Sequence, residues 1–224
     1  ENIYIQILLT STIFLGIIGM ADDYIKVFKK DKKGLKGYLK IAGQSLLGIF
    51  IGLVLLTSNE ITIVEFDNNS SSERIDFTEL KEIKSYKTTI PFLKDNELNY
   101  SVISDAIFNN GEKFIWLIII PIIVFIISAV SNSNNLTDGL DGLSAGLSAI
   151  IVFTLGVFAW TSGNIIFSEY LNIMYIPRIG EITIFIAALL GSLVGFLWYN
   201  TYPATVFMGD TGSLTCLLYT SPSP

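Results

Sequence analysis

Five long apolar runs dominate the 224-residue sequence and restrict what it can fold into. The hydrocarbon core of a bilayer is spanned by about 20 residues of helix. No water is available there, so a spanning segment has to pair its own backbone polar groups. Runs of this length therefore predict transmembrane helices. The predicted spans are residues 3–20, 41–57, 114–130, 143–161 and 181–198.

The expected fold class is all-α, a polytopic membrane helical bundle that forms a single domain over residues 1–224. A hydrophobic fraction of 51% agrees with this class. The first run has no charged segment before it and no small-residue cleavage site after it, so we expect a true span and not a signal peptide.

The lysines predict the orientation of the bundle. Seven of the fourteen basic residues lie between Lys26 and Lys40, in the short loop after the first span. By the positive-inside rule this loop is cytoplasmic. An even number of spans separates the acidic motifs described below, so we expect all of them on the same, cytoplasmic side.

The one long polar segment, residues 58–112, is expected on the outer side. An alternating stretch at 61–66, a turn-like stretch at 68–72 and a strand-like run at 88–93 predict a small β-hairpin there. Residues 162–180 form a shorter outer loop. Neither segment indicates a function of its own.

Acidic residues cluster at the ends of three apolar runs. They are Asp22 and Asp23 in GMADDYIK, Asp138 and Asp141 in NNLTDGLDGL, and Asp210 in FMGDTGSL. Clustered carboxylates raise one another's pKa unless a cation lies between them. A hard divalent metal is the obvious cation, and a phosphate is its obvious ligand. The alternative is that these acids only end or cap helices.

The DGLDG motif makes the strongest case for a cation. If this segment begins a helix, Asn135, Asp138 and Asp141 recur every three residues and share one face. No basic residue is near them in the sequence. Glycines beside the motif, and beside Asp210, allow close approach of backbone and ligand.

Composition excludes some classes of partner. The net charge of −6 argues against a nucleic acid, and no basic, aromatic surface suggests one. Cys216 is the single cysteine, so the chain has no internal disulfide and its redox compartment is not readable from it.

Three stretches carry a family resemblance: GMADDYIKVFKKDKKGL, SNSNNLTDGLDGLSAG and WYNTYPATVFMGDTGSL. Together they resemble the phospho-N-acetylmuramoyl-pentapeptide transferase family, within the superfamily of polyprenyl-phosphate N-acetylhexosamine-1-phosphate transferases. Thr137 and Thr211 look more like the muramoyl-pentapeptide branch. The resemblance runs from the first span to about Leu214.

The resemblance implies a reaction and its partners. The reaction is Mg²⁺-dependent transfer of phospho-MurNAc-pentapeptide from UDP-MurNAc-pentapeptide to undecaprenyl phosphate, which forms lipid I and releases UMP. The implied location is the bacterial inner membrane, among membrane lipid, with the active site facing the cytoplasm. The resemblance is compatible with a homodimer.

Two alternatives stay open. A related enzyme would transfer GlcNAc-1-phosphate from UDP-GlcNAc. A cation-coupled secondary transporter would use its carboxylates to bind the coupling ion, although such residues usually lie in the middle of spans.

The resemblance also implies catalytic roles. Asp210 is the strongest metal ligand, with Asp141 as a second. Asp22 assists the lipid phosphate as a base or hydrogen-bond acceptor, while Asp23 and Asp141 hold the metal or orient the diphosphate. Direct displacement is preferred over a covalent aspartyl intermediate.

The substrate contacts are carried over by matched position. Phe207 is expected to stack on uracil, whereas Trp198, Tyr199 and Tyr202 are expected to form an interfacial aromatic belt. The expected substrate-binding residues are Lys26, Lys40, Asn132, Asn135, Leu136, Asp138, Asn200 and Phe207.

The chain departs from the family pattern at both ends. The family's first helices and its histidine-rich cytoplasmic loop have no counterpart here, and the chain has no histidine. We therefore expect a fragment, and we expect residues 215–224 to be non-native.

Overall fold

A computed structural model provides the fold of this chain. It describes residues 2–29, 34–64, 82–84, 86–89, 97–108, 114–137, 140–171 and 173–217. The helices are α1 (Ile3–Phe28), α2 (Gly37–Thr57), α3 (Tyr100–Phe108), α4 (Trp116–Thr137), α5 (Leu143–Ser162), α6 (Ile165–Tyr170), α7 (Ile182–Asn200) and α8 (Gly209–Leu217), with a 3-10 turn at Ile179–Glu181 before α7. The strands are β1 (Ile63–Val64), β2 (Glu82–Ile83), β3 (Lys87–Thr89) and β4 (Glu97–Asn99).

Five helices in the described part of the chain are long and apolar enough to cross a membrane: α1, α2, α4, α5 and α7. This confirms the predicted fold class, and the protein is a multi-pass membrane protein. The helices run beyond several predicted spans. α1 continues through Asp22 and Asp23 to Phe28, so these two acids lie within the helix and not in the loop after it.

In the described part of the chain, helices that pack side by side form two apolar cores. One core joins α1, α2 and α4, and its buried residues are Leu15, Leu47, Ile51, Ile123 and Ile127. The other joins α5 to α7, and its buried residues are Ala149, Val152, Ala159, Ile186 and Leu193. Many large apolar side chains of these helices remain exposed. In a bilayer, such a surface contacts lipid tails.

The described part of residues 58–112 contains two short antiparallel sheets. Ile63 pairs with Ile83 in one sheet, and Thr88 pairs with Leu98 in the other. The small hairpin-like part of the predicted fold is thus confirmed. The predicted strand at 88–93 is described only as far as Thr89, since residues 90–96 lie outside the described part. Helices α3 and α6 were not predicted.

Contacts between distant segments define one end of the bundle. Val64 forms a bridge with Tyr175, and Arg178 lies 3.7 Å from Glu60 in an ion pair. Asn2, just before α1, donates a hydrogen bond to the carbonyl oxygen of Arg178. The start of α1, the end of α2 and the start of α7 therefore lie together. The acidic motifs belong to the opposite ends of these helices.

One predicted helix is wrong. The expectation that Asn135, Asp138 and Asp141 share a helical face required a helix through the DGLDG motif. Instead Asp141 lies in a turn, and α5 begins only at Leu143, while Asp138 lies outside the described residues. This turn ends at Gly142, whose φ of 75° is readily adopted by glycine.

Candidate active site

Three carboxylates from the two ends of the sequence meet at one end of the bundle. Asp22 and Asp23 lie in the last turns of α1, and Asp210 lies in the first turn of α8. Each offers an oxygen, and these oxygens all lie within 4.8 Å of one another. The structure thus brings together three of the four predicted catalytic acids.

Two lysines neutralise most of this charge. Lys26, one turn after Asp22 on α1, places its Nζ 2.6 Å from Asp22 Oδ2 and 2.8 Å from Asp210 Oδ2. Lys40, from the first turn of α2, places its Nζ 3.1 Å and 2.7 Å from the same two oxygens. Both lysines were expected to contact substrate, and no contact between Lys40 and the acids was predicted. Lys40 reaches them from a different helix.

Asp22 is the most enclosed member of the group, with 0% of its surface exposed. Its Oδ1 accepts a 2.5 Å hydrogen bond from the backbone N–H of Leu35. The chain passes over Asp22 at Gly34, where a Cβ would lie 2.6 Å from Oδ1. Both carboxylate oxygens are therefore engaged. The predicted role as a base toward the lipid phosphate requires that some of these contacts be broken.

Asp23 accepts hydrogen bonds from the start of α8. Its Oδ1 lies 3.2 Å from the backbone nitrogen of Asp210, and its Oδ2 lies 2.9 Å from the backbone nitrogen of Thr211. The Thr211 hydroxyl also donates to Oδ2, at 2.5 Å. This carboxylate thus holds α8 against α1.

Within this group, the Asp22 and Asp210 oxygens fit a hard divalent cation, whereas those of Asp23 are bonded to α8. Carboxylate oxygens are the ligands that Mg²⁺ prefers in proteins. Three carboxylates and two ammonium groups leave one unit of negative charge at the site. The ammonium groups of Lys26 and Lys40 lie against Asp22 Oδ2 and Asp210 Oδ2. These oxygens are therefore placed to bind positive charge.

Asp141 lies outside this three-carboxylate group. It is exposed in the turn before α5, where its Oδ2 accepts a 3.2 Å hydrogen bond from the backbone N–H of Ala204. Asn200, which is only 5% exposed, forms hydrogen bonds in the same region. Its Oδ1 accepts from the Gly142 N–H at 3.0 Å, and its Nδ2 donates to the Val206 carbonyl oxygen at 2.8 Å. Together these two side chains join the turn before α5 to the loop before α8.

Asn132, a predicted substrate contact, is bonded within the bundle. Its Nδ2 donates to Gln44 Oε1 at 3.0 Å and to the Ser128 carbonyl oxygen at 2.7 Å. Gln44 Nε2 in turn donates to Ser131 Oγ at 2.9 Å. Gln44 lies one helical turn after Lys40, so this network links the lysine's helix to α4.

The remaining predicted contacts divide into two groups. Phe207 is 73% exposed in the loop just before Asp210, where its ring is accessible. Asp138 and the side chains of Asn135 and Leu136 lie outside the described residues.

Sequence reasoning missed a second buried polar network near the site. Asn134 Nδ2 donates to the Ser213 carbonyl oxygen at 3.0 Å, and Ser144 Oγ donates to Asn134 Oδ1 at 2.8 Å. These contacts tie α4 and α5 to α8. Asn134 follows the apolar run 114–130 and Ser144 lies inside the run 143–161. Polar residues at these places were the available signal, because a bilayer disfavours them unless they are paired.

Comparison with known proteins agrees with the geometry. The profile of glycosyl transferase family 4 matches residues 5–220. The chain is 52% identical over 221 residues to the phospho-N-acetylmuramoyl-pentapeptide-transferase of Flavobacterium johnsoniae, covering 96% of this chain and 54% of that protein. It is 54% identical over 217 residues to the protein of that name from Amoebophilus asiaticus, covering 96% of this chain and 53% of that protein.

These matches confirm the predicted resemblance. The chain spans about half the length of the curated relatives it matches. The profile match covers nearly the whole chain, from α1 past the start of α8. The chain therefore belongs to glycosyl transferase family 4.

Proposed function

We propose that this chain supplies the reacting centre of a Mg²⁺-dependent phospho-N-acetylmuramoyl-pentapeptide transferase. The observation that supports the proposal is the meeting of three carboxylates and two lysines at one end of a membrane-spanning bundle. Family membership and the names of the similar proteins point to the same chemistry.

The proposed reaction exchanges one phosphoanhydride bond for another. An oxygen of undecaprenyl phosphate attacks the phosphorus nearest the sugar of UDP-MurNAc-pentapeptide. The bond from that phosphorus to the oxygen bridging the two phosphates breaks, and UMP leaves with the bond's electron pair. No atom is oxidised or reduced. The lipid-linked product, lipid I, retains the sugar and its peptide.

The two lysines would hold the phosphates. Phosphoryl transfer depends mainly on positioning and on neutralising negative charge. Lys26 and Lys40 have flexible stems, and both ammonium groups already meet at Asp210 Oδ2. When a diphosphate enters, its oxygens compete for these ammonium groups. Asp22, which is buried between them, would keep both lysines directed toward the reacting phosphate.

Asp210 is the proposed principal metal ligand, because release of the lysines frees its carboxylate. Mg²⁺, when bound, supplies positive charge that neutralises the diphosphate. Asp141 stays a predicted second ligand, and it lies in a turn outside the three-carboxylate group. Phe207 offers an exposed ring for the uracil base at the edge of the site.

The proposed setting is the bacterial inner membrane with the site at the cytoplasmic face. Seven of the fourteen basic residues lie between Lys26 and Lys40 at this end of the bundle, and such residues favour the cytoplasm. A membrane-surface site admits a water-soluble UDP donor from one side and a lipid phosphate from the other.

UMP release provides the test. A protein of the relatives' full length that contains this chain is purified in detergent and mixed with Mg²⁺ and undecaprenyl phosphate. We expect UMP from UDP-MurNAc-pentapeptide and much less from UDP-GlcNAc, because binding of the remote lactyl-peptide arm can be expressed in turnover.

The controls separate the alternatives. Omission of undecaprenyl phosphate should abolish UMP release. Preference for UDP-GlcNAc would refute the assigned donor while retaining the transfer chemistry. Release from neither donor, by a folded protein that binds Mg²⁺, would refute the transferase proposal and favour cation transport.

A further inference from the structure

The start of α8 is bound by a side chain from another helix. The first backbone N–H groups of a helix have no partner within the helix. A side chain just before the helix usually accepts hydrogen bonds from them. In α8, Asp23 of α1 accepts from the N–H groups of Asp210 and Thr211. Asp23 therefore caps α8 from a distance of 187 residues along the chain.

The cap leaves Asp23 little capacity for other ligands. A carboxylate offers about four lone-pair positions. Two backbone N–H groups and the Thr211 hydroxyl occupy three of them. The negative charge of Asp23 also faces the positive end of the α8 dipole, which favours this arrangement.

Two glycines allow the two helices to approach this closely. A Cβ at Gly19 of α1 would lie 2.6 Å from the Thr211 Cα, so a larger residue would push α8 away. Gly209 has a φ of 66°, and a Cβ there would lie 3.1 Å from Asp23 Oδ2. The backbone on both sides is thus suited to a direct contact between the Asp23 carboxylate and α8.

We propose that Asp23 and Thr211 are positioning residues whose hydrogen bonds hold Asp210 against Asp22, Lys26 and Lys40. Asp23 acts through α8 and does not contact substrate or metal. This proposal rests on the proposed function, which assigns the reacting groups at the site. Asp23 was expected to hold the metal or orient the diphosphate, and its proposed role is now to position α8. No role was expected for Thr211.

The hydrogen bonds of Asp23 lie at Asp210 itself, which explains why their loss should lower turnover. Asp23 binds the backbone nitrogen of Asp210 itself and that of the next residue. A loosened cap would let the start of α8 shift, and the Asp210 carboxylate would leave its place beside the two lysines. A displacement of about 1 Å at a reacting centre can lower turnover about 100-fold.

A double-mutant cycle tests the positioning role in the full-length protein. We expect Asp23→Asn to lower kcat about 100-fold. Thr211→Val should lower it about tenfold, the loss expected for one hydrogen bond to a charged group. Both should leave the KM for the UDP donor within about twofold of the wild type. The combined variant should be close to Asp23→Asn alone, because both changes break one connection.

Conservative and matched variants sharpen this test. Thr211→Ser keeps the hydroxyl and should restore most of the activity lost in Thr211→Val. Thr12→Val removes a hydroxyl that bonds only to the Leu8 carbonyl oxygen among the partners described for it. It should leave kcat unchanged. Full activity in Thr211→Val, or losses that multiply in the combined variant, would overturn the proposal.

Hydrogen exchange tests the cap without reference to the reaction. In Asp23→Asn, the amides of Asp210 and Thr211 should exchange faster than in the wild type, while amides in α5 remain unchanged. Unaltered exchange at these two amides would refute the cap even if activity were lost. Slow exchange in a wild type that forms no UMP would refute the proposed function and leave the cap intact.

Discussion

Lys40→Met is expected to destabilise the protein more than Lys26→Met, although the two lysines contact the same carboxylate oxygens. Their difference is burial. The Lys40 side chain is 12% exposed, whereas that of Lys26 is 36% exposed. Solvent screens the pair made by Lys26, so its contribution is about 1 kcal/mol or less. Methionine retains the apolar stem in each case, so the comparison isolates the ammonium group.

The expected loss of stability in Lys40→Met follows from the carboxylates that lose an ion-pair partner. Removal of one partner of a buried ion pair costs about 3–5 kcal/mol when the other charge has no alternative. Asp22 and Asp210 both retain Lys26, so we expect about 2–3 kcal/mol, below that range. The relatives' full length is about 400 residues, since 221 aligned residues are 54% of one of them. At about 2.1 cal/mol/K of unfolding entropy per residue, the Tm should fall by about 3 °C for Lys40→Met and about 1 °C for Lys26→Met.

Thermal unfolding in detergent, followed by intrinsic fluorescence, measures both shifts. Lys36→Met is the matched control, because Lys36 is exposed and its described contact is a distance of 6.0 Å to the Tyr38 ring. It should leave the Tm unchanged. An equal shift for the two site lysines, or a larger shift for Lys26→Met, would refute the argument from burial.

Three further outcomes are expected. A cysteine introduced at Ser71, in a background without the native cysteine, should react with an impermeant thiol reagent added to intact cells, whereas one at Thr205 should be shielded; labelling at Thr205 would contradict the proposed orientation. Asp210→Asn should lower turnover about 100-fold even at saturating Mg²⁺, as loss of a main electrostatic element does; near-normal turnover would exclude it as the principal ligand. Gly19→Ala should lower both Tm and turnover, because its Cβ would lie 2.6 Å from the α8 backbone, while Gly191→Ala, which faces open space, should change neither.

The spans were predictable because apolar run length reports directly on bilayer thickness. The helix ends were less predictable. α1 continues past residue 20 to Phe28 because its polar last turns have partners: Lys26 pairs with Asp22, and Asp23 binds α8. Hydropathy registers only the polarity of such residues. It does not reveal the partners that allow the helix to continue.

The acids and Lys26 of the site were predictable from motifs that place charge at the ends of apolar runs. Their pairing with Lys40 was not readable, since it depends on how α2 lies against α1 and α8. The predicted nucleotide contacts Asn132 and Asn200 illustrate a different limit. From one sequence, a buried amide that joins two segments cannot be distinguished from an amide that binds a ligand. Asn132 and Asn200 both form hydrogen bonds within the protein.

The order of the elements along the chain has a consequence for membrane insertion. α1 precedes α2 and α8 along the chain, so Asp22 is synthesised before Lys40 and the residues of α8. Asp22 lies in the last turns of α1, and an unpaired carboxylate at the end of a span is disfavoured, although less than at the helix centre. Lys26 lies one turn away on the same helix, 2.6 Å from Asp22, and is available as soon as α1 forms. The nascent span therefore brings its own counter-ion, and the later helices complete a site whose first charge is already neutralised.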